Sequence, residues 1–244
     1  MEAKPRTFSQ LGALLAKRWS DHGPGDLAQG VRALVPLVQV PPRAVWGTGG
    51  QALHTSAESW LGCARSEMAA ASPSVDRLVT RYLAAFGPAS VKDAQAWSGL
   101  TGLREVIERL RPRLRAFRDE RGAELFDLPD APLPGADVCA PVRLVAEFDN
   151  LILSHADRTR VISERNRKRL FTRNGIFPGT VLVDGFAVGI WRIARSRGAA
   201  TLTVELFDPI RGRDRDAVTR EGGRLLAGYA PDADTHDIRF EPAP

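Results

Sequence analysis

The sequence predicts an α+β protein with two helical modules, each ending in a β-hairpin, followed by a strand-rich region that closes into a small β-barrel. Three observations predict this class. Apolar residues recur at helical spacing through most of the first half, short apolar runs flank turn residues after each helical part, and apolar-polar alternation begins only in the second half. The expected domains are residues 1–63, 74–129 and 141–244.

The first module has two predicted helices and a hairpin. The helices cover residues 11–19 and 26–35, and Asp26 is the expected N-cap of the second. The hairpin joins 37–40 to 52–55 through a glycine-rich turn. The stretch before these helices is too short for another one, so we expect either a shortened module or a chain that begins partway into a longer protein.

The second module begins with three predicted helices. The first carries its apolar stripe over residues 76–86, and the second opens at Ser90 and Asp93, whose side chains are typical capping groups. The third has Thr101 as its expected N-cap and stops at Pro112, because proline removes a backbone donor and clashes with the preceding turn.

A β-hairpin follows these helices, with strands 114–117 and 124–126 around a turn that ends in Gly122. Three helices and a hairpin form the element order of a winged-helix module, which inserts its third helix into the major groove of DNA. The sequence therefore predicts tandem winged-helix modules, the first incomplete. Short helices joined by a tight turn also occur in domains that never contact nucleic acid.

Connectors and strands make up the rest of the chain. Residues 64–74, rich in Ala and Ser, and residues 129–141, rich in Pro, are expected to be linkers. A helix is predicted over 216–226, and an Asp184-Gly185 turn marks a hairpin. Strands of the predicted barrel lie at 142–153, 180–183, 186–193, 201–207 and 238–240.

Composition narrows the function classes. Among 244 residues, 43% are hydrophobic and 26% charged, which is typical of a folded globular protein, and the formal charge of +5 suits partners that carry phosphate. The cysteines, Cys63 and Cys139, have no ligand-spaced companion, so neither a zinc motif nor a disulfide framework is indicated. The sequence has no apolar run of membrane-spanning length, and we expect a cytoplasmic, nucleoid-associated monomer. It also has no nucleotide-binding glycine loop, and we expect no metal or cofactor.

Basic side chains in several places are candidates for contact with duplex DNA, damaged or intact. They lie in the first hairpin, on the third helix and hairpin of the second module, at His155 and the arginine-rich segment 158–173 that follows it, and in the turn at 195–198. The candidates are Arg43, Arg104, Arg115, Arg118, His155, Arg158, Arg160, Lys168, Arg169, Arg195 and Arg197. Solvated surfaces with internal ion pairs account for such basic runs equally well. The carboxylates near His155 could polarise a water, although such groups more often organise loops.

Three stretches carry a family resemblance: Leu-Val-Gln-Val-Pro-Pro-Arg at 37–43 with Trp-Gly at 46–47, residues 81–90, and residues 148–158. Together they resemble the bacterial winged-helix DNA glycosylases that excise alkylated purines and unhook interstrand crosslinks. The resemblance implies tandem winged-helix modules and a C-terminal β-barrel that together cradle duplex DNA.

The sequence departs from this family at its catalytic element. The family carries a Gln-x-Gln or Gln-x-Asp motif in its first winged-helix module, and this chain has no such motif at a matching position; Gln39, in Val-Gln-Val-Pro, does not replace it. The resemblance therefore implies DNA binding with impaired hydrolysis and no catalytic residue. Two alternatives stay open: a noncatalytic winged-helix transcription regulator, and modules that contact each other or protein partners.

Overall fold

The chain divides into two units, residues 1–73 and residues 74–244. The computed structural model describes residues 4–43, 45, 48–70, 74–170 and 175–242. Parts of three predicted features lie outside these residues, namely Trp46-Gly47 in the first hairpin, residues 71–73 of the first linker and Arg173 at the end of the arginine-rich segment. No helix among the described residues is long and apolar enough to cross a lipid bilayer.

The first unit consists of helices around one hairpin. In order, it contains α1 (Phe8–Ala16), α2 (Pro24–Leu34), β1 (Leu37–Val40), β2 (Leu53–Ser56), α3 (Ala57–Leu61) and α4 (Arg65–Ala70). A capping box between Thr7 and Gln10 opens α1. The expected cap of α2 is wrong: Gly23 is the N-cap, and Asp26 lies in the first turn, where its charge suits the helix dipole. The linker predicted at 64–74 contains α4.

The first three helices of the second unit match the sequence prediction closely. They are α5 (Val75–Phe86), α6 (Val91–Ser98) and α7 (Leu103–Leu110), and the strands β3 (Arg115–Arg118) and β4 (Glu124–Asp127) pair antiparallel after them. Ser90 and Asp93 form the predicted capping box of α6. Thr101 is not the cap of α7, because Gly102 takes that position with a φ of 72° and no side-chain hydrogen bond.

The apolar faces of these helices meet in one core. Tyr82 and Leu83 of α5, Ile107 of α7 and Phe126 of β4 are each at most 2% exposed. The hydroxyl of Tyr82 donates to the carbonyl oxygen of Ser154 at 2.7 Å, so this core also holds the chain segment at Ser154. Burial raises the pKa of the Tyr82 hydroxyl, which stays protonated as a donor.

An open five-stranded sheet follows, in the order β5 (Arg143–Val145), β6 (Gly179–Val183), β7 (Phe186–Ser196), β8 (Ala199–Leu206) and β9 (Thr235–Pro242). Neighbouring strands are antiparallel except β8 and β9, which are parallel. Three helices accompany it: α8 (Asn150–Leu153), α9 (Glu164–Leu170) and α10 (Gly212–Tyr229). Only the start of the strand expected at 142–153 is a strand, since Asp149 caps α8 there.

The predicted barrel is therefore wrong for the described residues, because β5 and β9 are sheet edges that do not pair with each other. Helix α10 explains the difference. It connects β8 to the parallel strand β9, and its buried Val218 and Leu226 share a core with Leu202 and Val204 of β8. At Gly222 a Cβ atom would lie 2.5 Å from the Leu202 side chain, so glycine lets the helix approach. A helix thus covers the face that barrel closure would have buried.

Candidate nucleic-acid interface

A polar cluster lies where the loop before α9 meets the end of α5. His155 is 3% exposed, and its Nε2 lies 3.1 Å from the carbonyl oxygen of Phe86 and 3.2 Å from Nη1 of Arg160. Arg160 donates to the carbonyl oxygen of Pro88 at 2.9 Å, and Arg158 donates through Nε to the carbonyl oxygen of His155 at 3.2 Å. Two of the stretches that carry the family resemblance meet here.

Asp93 ties the same loop to the start of α6. This carboxylate is 3% exposed. Its Oδ2 accepts from the backbone nitrogen and the hydroxyl of Ser90, both at 2.8 Å. Its Oδ1 accepts from the backbone nitrogens of Ala156 at 2.8 Å and Asp157 at 3.3 Å. One buried carboxylate therefore caps a helix and fixes the loop that carries His155.

The surroundings of His155 indicate a role in the structure of the protein and not in contact with a ligand. Burial, and then the charge of Arg160, lower the pKa of His155 below its ordinary value, so the imidazole is neutral at pH 7. Its Nδ1 is buried without a hydrogen-bond partner in the described part of the chain. Because a carbonyl oxygen only accepts and a guanidinium only donates, Nε2 satisfies either Phe86 or Arg160. A contact between His155 and DNA would require this cluster to open.

We expect the protein to lose stability as the pH falls below 6.5, the ordinary pKa of this side chain. Because the folded-state pKa of His155 is lowered, the unfolded chain binds a proton that the folded chain does not. The stabilising contribution is complete above the unfolded value and is lost as the pH falls towards the folded value. Urea midpoints at about pH 7.5 and about pH 5.5 measure this loss.

The variant His155→Gln should show a smaller difference between the two midpoints than the wild type. His22→Gln, which replaces an exposed histidine, serves as the control and should keep the wild-type difference. The same pH dependence in His155→Gln and wild type would contradict the structural role of His155.

The cleft beside this cluster has balanced charge. It encloses about 640 Å³, and its charged residues are Lys92, Arg121, Arg160, Asp93, Asp119, Glu120 and Asp157. Nη1 of Arg121 lies 3.0 Å from Oδ2 of Asp157. Hydrogen bonds from Thr159, and then the charge of Arg121, lower the pKa of the Asp157 carboxyl, which stays ionised. With four acidic side chains against three basic ones, this cleft is not a strong phosphate site.

The outward face of α7 is mixed in charge. Arg109 pairs with Asp76 at 2.5 Å, and Glu108 is held by Arg111 at 2.7 Å. Arg104 is exposed and forms no ion pair with a described residue. Of the cations expected on this helix, Arg104 is therefore the one still available for phosphate.

The hairpin after α7 carries two further candidates. Arg115 is exposed and lies over the ring of Phe117 at 5.0 Å, and Arg118 is exposed with Nη1 3.5 Å from the carbonyl oxygen of Gly122. Neither forms an ion pair within the described ranges. Both keep their charge accessible.

The arginine-rich segment is mostly engaged within the protein. Arg165 pairs with Asp208 at 3.2 Å, while Arg169 donates to the carbonyl oxygen of Phe207 and lies over its ring at 5.3 Å. Lys168 is exposed and has no ion pair with the residues that the structure describes. The segment thus offers fewer accessible charges than its sequence suggests.

The hairpin between β7 and β8 differs from the expected tip. Arg195 lies inside β7 and pairs with Asp232 at 2.6 Å. The turn itself is Arg197-Gly198, with φ values of 48° and 78°, which is the geometry of a two-residue hairpin turn. Arg197 is exposed and forms no ion pair with a described side chain. The tip therefore presents one accessible guanidinium instead of two.

In the first unit, Arg43 is exposed in the connection between β1 and β2. It lines a cavity of about 760 Å³ together with Arg32, Arg65 and His54. Arg32 and Arg65 were not among the candidates predicted from the sequence. They belong to α2 and α4, so no local spacing connects them with Arg43, and only the fold brings them together.

Comparison with known proteins identifies the family of the chain. The matching family model is described as DNA glycosylase AlkZ-like and covers residues 1–227, so the chain belongs to this family.

A match to a curated protein and a match to a solved structure both come from Streptomyces sahachiroi. The interstrand DNA cross-link repair glycosylase is 23% identical over 158 residues, which cover 59% of this chain and 41% of the relative. The solved structure of DNA glycosylase AlkZ matches with a TM-score of 0.62 at 21% identity, over 90% of this chain and 56% of that chain. The chain thus spans about half the length of these relatives, and the structural likeness shows a shared fold.

Proposed function

We propose that this chain is a duplex-DNA-binding member of the AlkZ-like glycosylase family in which base hydrolysis is impaired. The family match over residues 1–227 carries the proposal. The name of the curated relative suggests interstrand-crosslinked or alkylated DNA as the substrate class. The proposed domains are 1–63 and 74–129, both winged-helix modules, and 141–244, which contains the open sheet.

The element order of residues 75–127 supports the winged-helix assignment. Three helices precede a two-stranded antiparallel hairpin, and α7 places Leu103, Val106 and Ile107 in the core while its other face is exposed. A recognition helix needs such an anchored apolar side and a free polar side. In the first unit two helices precede the hairpin, an order that supports a partial second copy.

Exposed cations without internal ion pairs are the proposed DNA contacts. In the described part of the second unit, the predicted residues that meet this condition are Arg104, Arg115, Arg118, Lys168 and Arg197. Arg160 is also exposed, but its guanidinium is hydrogen-bonded to Pro88 and lies beside His155. Arg195 contacts DNA only if its ion pair with Asp232 breaks and a phosphate takes the place of the carboxylate. Weak, salt-sensitive binding is expected from so few contacts, since each neutralised phosphate contributes about 0.9 to the salt slope.

The proposed impairment rests on chemistry that the described residues do not supply. In this family the glutamine motif is thought to hold the nucleophilic water, and the chain has none at a matching position. Near His155, Asp157 is engaged by Arg121 and Thr159, and Asp149 caps α8. These carboxylates organise loops and do not serve as a general base.

A transcription regulator is less well supported. Such a protein would read bases with α7, whose outward face carries Glu105 and Glu108 and has Arg109 bound to Asp76. Two carboxylates on the groove side would repel DNA phosphate. Nothing on this helix favours sequence reading over phosphate contact.

The double variant Arg195→Ala/Arg197→Ala should weaken binding to a short duplex by about 3–10-fold and reduce the salt slope by about one. Most of the loss should already appear in Arg197→Ala, because Arg195 is engaged by Asp232. Fluorescence anisotropy with a labelled duplex measures both quantities.

The control is Arg213→Ala/Arg224→Ala, which removes the same charge from exposed positions of α10 that have their own acidic partners. It should bind within about twofold of wild type. Equal binding by wild type and Arg195→Ala/Arg197→Ala would remove this hairpin from the interface, and the absence of duplex binding by wild type would refute the proposed function.

A further inference from the structure

The first unit contains a cavity whose charged lining is entirely basic. It encloses about 760 Å³, and Arg32, Arg43, Arg65 and His54 line it without a described acidic side chain. The cleft beside His155 has a similar volume but four carboxylates. A cavity lined by charges of one sign has a positive potential that favours an anion.

The three arginines come from separate parts of the unit. Arg32 is in the last turn of α2, Arg43 follows β1, and Arg65 opens α4. None forms an ion pair with a described residue, although Arg32 lies 5.7 Å from the centroid of the Phe8 ring. Arg32 also offsets the dipole of α2 at this position, but Arg43 and Arg65 have no comparable internal role.

One buried polar atom of the cavity lining, on His54, and one of a neighbouring residue, Arg6, have no hydrogen-bond partner in the described part of the chain. His54 packs against Phe8 with ring centroids 4.2 Å apart, and its Nδ1 makes no hydrogen bond within the described residues. The Nε of Arg6, whose backbone pairs with that of His54, is also buried and unsatisfied in the described part. Burial, and then the charges of Arg32 and Arg43, lower the pKa of His54. An anion near these arginines would reverse part of that effect.

We propose that this cavity, termed the Arg32 pocket, binds a phosphodiester group of duplex DNA. The proposal rests on the proposed function and adds a contact from the first unit. The cavity is much larger than an inorganic anion, so its ligand is an anionic group that belongs to a larger molecule. All three arginines are exposed at its rim, as binding to a continuous backbone requires.

The test uses the full chain, a blunt duplex without terminal phosphates, and two variants of equal charge. Arg32→Ala/Arg65→Ala should bind the duplex about tenfold more weakly than wild type, with a salt slope lower by about two. The control, Lys17→Ala/Arg18→Ala, removes two exposed cations of the same unit that do not line the pocket, and should stay within about twofold.

A second readout reports on the pocket itself. The imidazole resonances of His54 give its pKa by NMR, and the duplex should raise that pKa in wild type and in the Lys17→Ala/Arg18→Ala control. In Arg32→Ala/Arg65→Ala the duplex should have little effect on it. Inorganic phosphate and a mononucleotide, titrated separately, should raise the pKa of His54 only at far higher concentration than the duplex.

Normal duplex binding by Arg32→Ala/Arg65→Ala, with no change at His54 in wild type, would overturn the Arg32 pocket and leave the proposed function standing. A mononucleotide or inorganic phosphate that acts at lower concentration than the duplex would overturn the assignment to DNA in favour of a free phosphate ligand. Failure of wild type to bind the duplex at all would overturn both proposals.

Discussion

Replacement of Asp93 by Ala should lower the free energy of unfolding by about 3–5 kcal/mol. The Asp93 carboxylate accepts four hydrogen bonds at a buried position, two from Ser90 and two from the backbone of the loop at Ala156 and Asp157. Without it, the loop N–H groups lose their acceptor and α6 loses its cap. Urea unfolding of the full chain, followed by circular dichroism, measures the change.

Two further variants separate this effect from a simple loss of charge. Asp130→Ala removes an exposed carboxylate that has no described partner, and should change stability by less than about 0.5 kcal/mol. Asp93→Asn keeps one acceptor oxygen and should lie between wild type and Asp93→Ala. A loss below about 1 kcal/mol in Asp93→Ala would show that the loop does not depend on this carboxylate.

The purified chain should release alkylated bases from duplex DNA about 10²–10⁴-fold more slowly than a family member that carries the paired glutamines. That range is the usual contribution of a positioned general base, and this chain has no glutamine motif at a matching position. Single-turnover assays with excess protein measure base release directly, so slow product dissociation does not obscure the comparison.

Binding must be measured in the same samples, because a chain that does not bind DNA would also release no base. Duplex bound without base release is the expected result. Release at a rate comparable to that of the glutamine-bearing relative would refute the impairment and would require another group in this chain to activate water.

Local signals predicted the helical part of the second unit well. The capping box at Ser90 and Asp93 and the apolar face of α7 involve residues within one or two turns of each other, so the sequence contains the whole interaction. The predicted N-cap of α7 was wrong because Gly102, at positive φ, takes the N-cap position in place of Thr101. Side-chain propensity alone does not distinguish these two ways to start a helix.

Long-range contacts explain what could not be predicted. Barrel closure depends on whether another element covers the sheet, and α10 does so from a position between β8 and β9. Two interactions join residues that are distant in sequence. Arg195 forms an ion pair with Asp232, and Oδ1 of Asp93 accepts a hydrogen bond from the backbone nitrogen of Ala156. An arginine count from sequence therefore overestimates the accessible charge.

The Arg32 pocket had no sequence signature for the same reason. Its arginines are isolated in separate segments, each ordinary by itself, and only the fold brings Arg32, Arg43 and Arg65 to one cavity. Arg43 was a candidate because it lies in a stretch that carries the family resemblance. Arg32 and Arg65 become candidates only because they line the same cavity as Arg43.

The salt dependence of duplex binding by the full chain tests the central claim most directly. If accessible cations hold DNA phosphates, the logarithm of the association constant should fall linearly with the logarithm of salt concentration. The slope should be about −4 to −5 for the accessible cations of the second unit, and steeper by about two with the contribution of the Arg32 pocket. Binding that does not change between about 50 and 200 mM salt, or no binding at the lower concentration, would contradict the account.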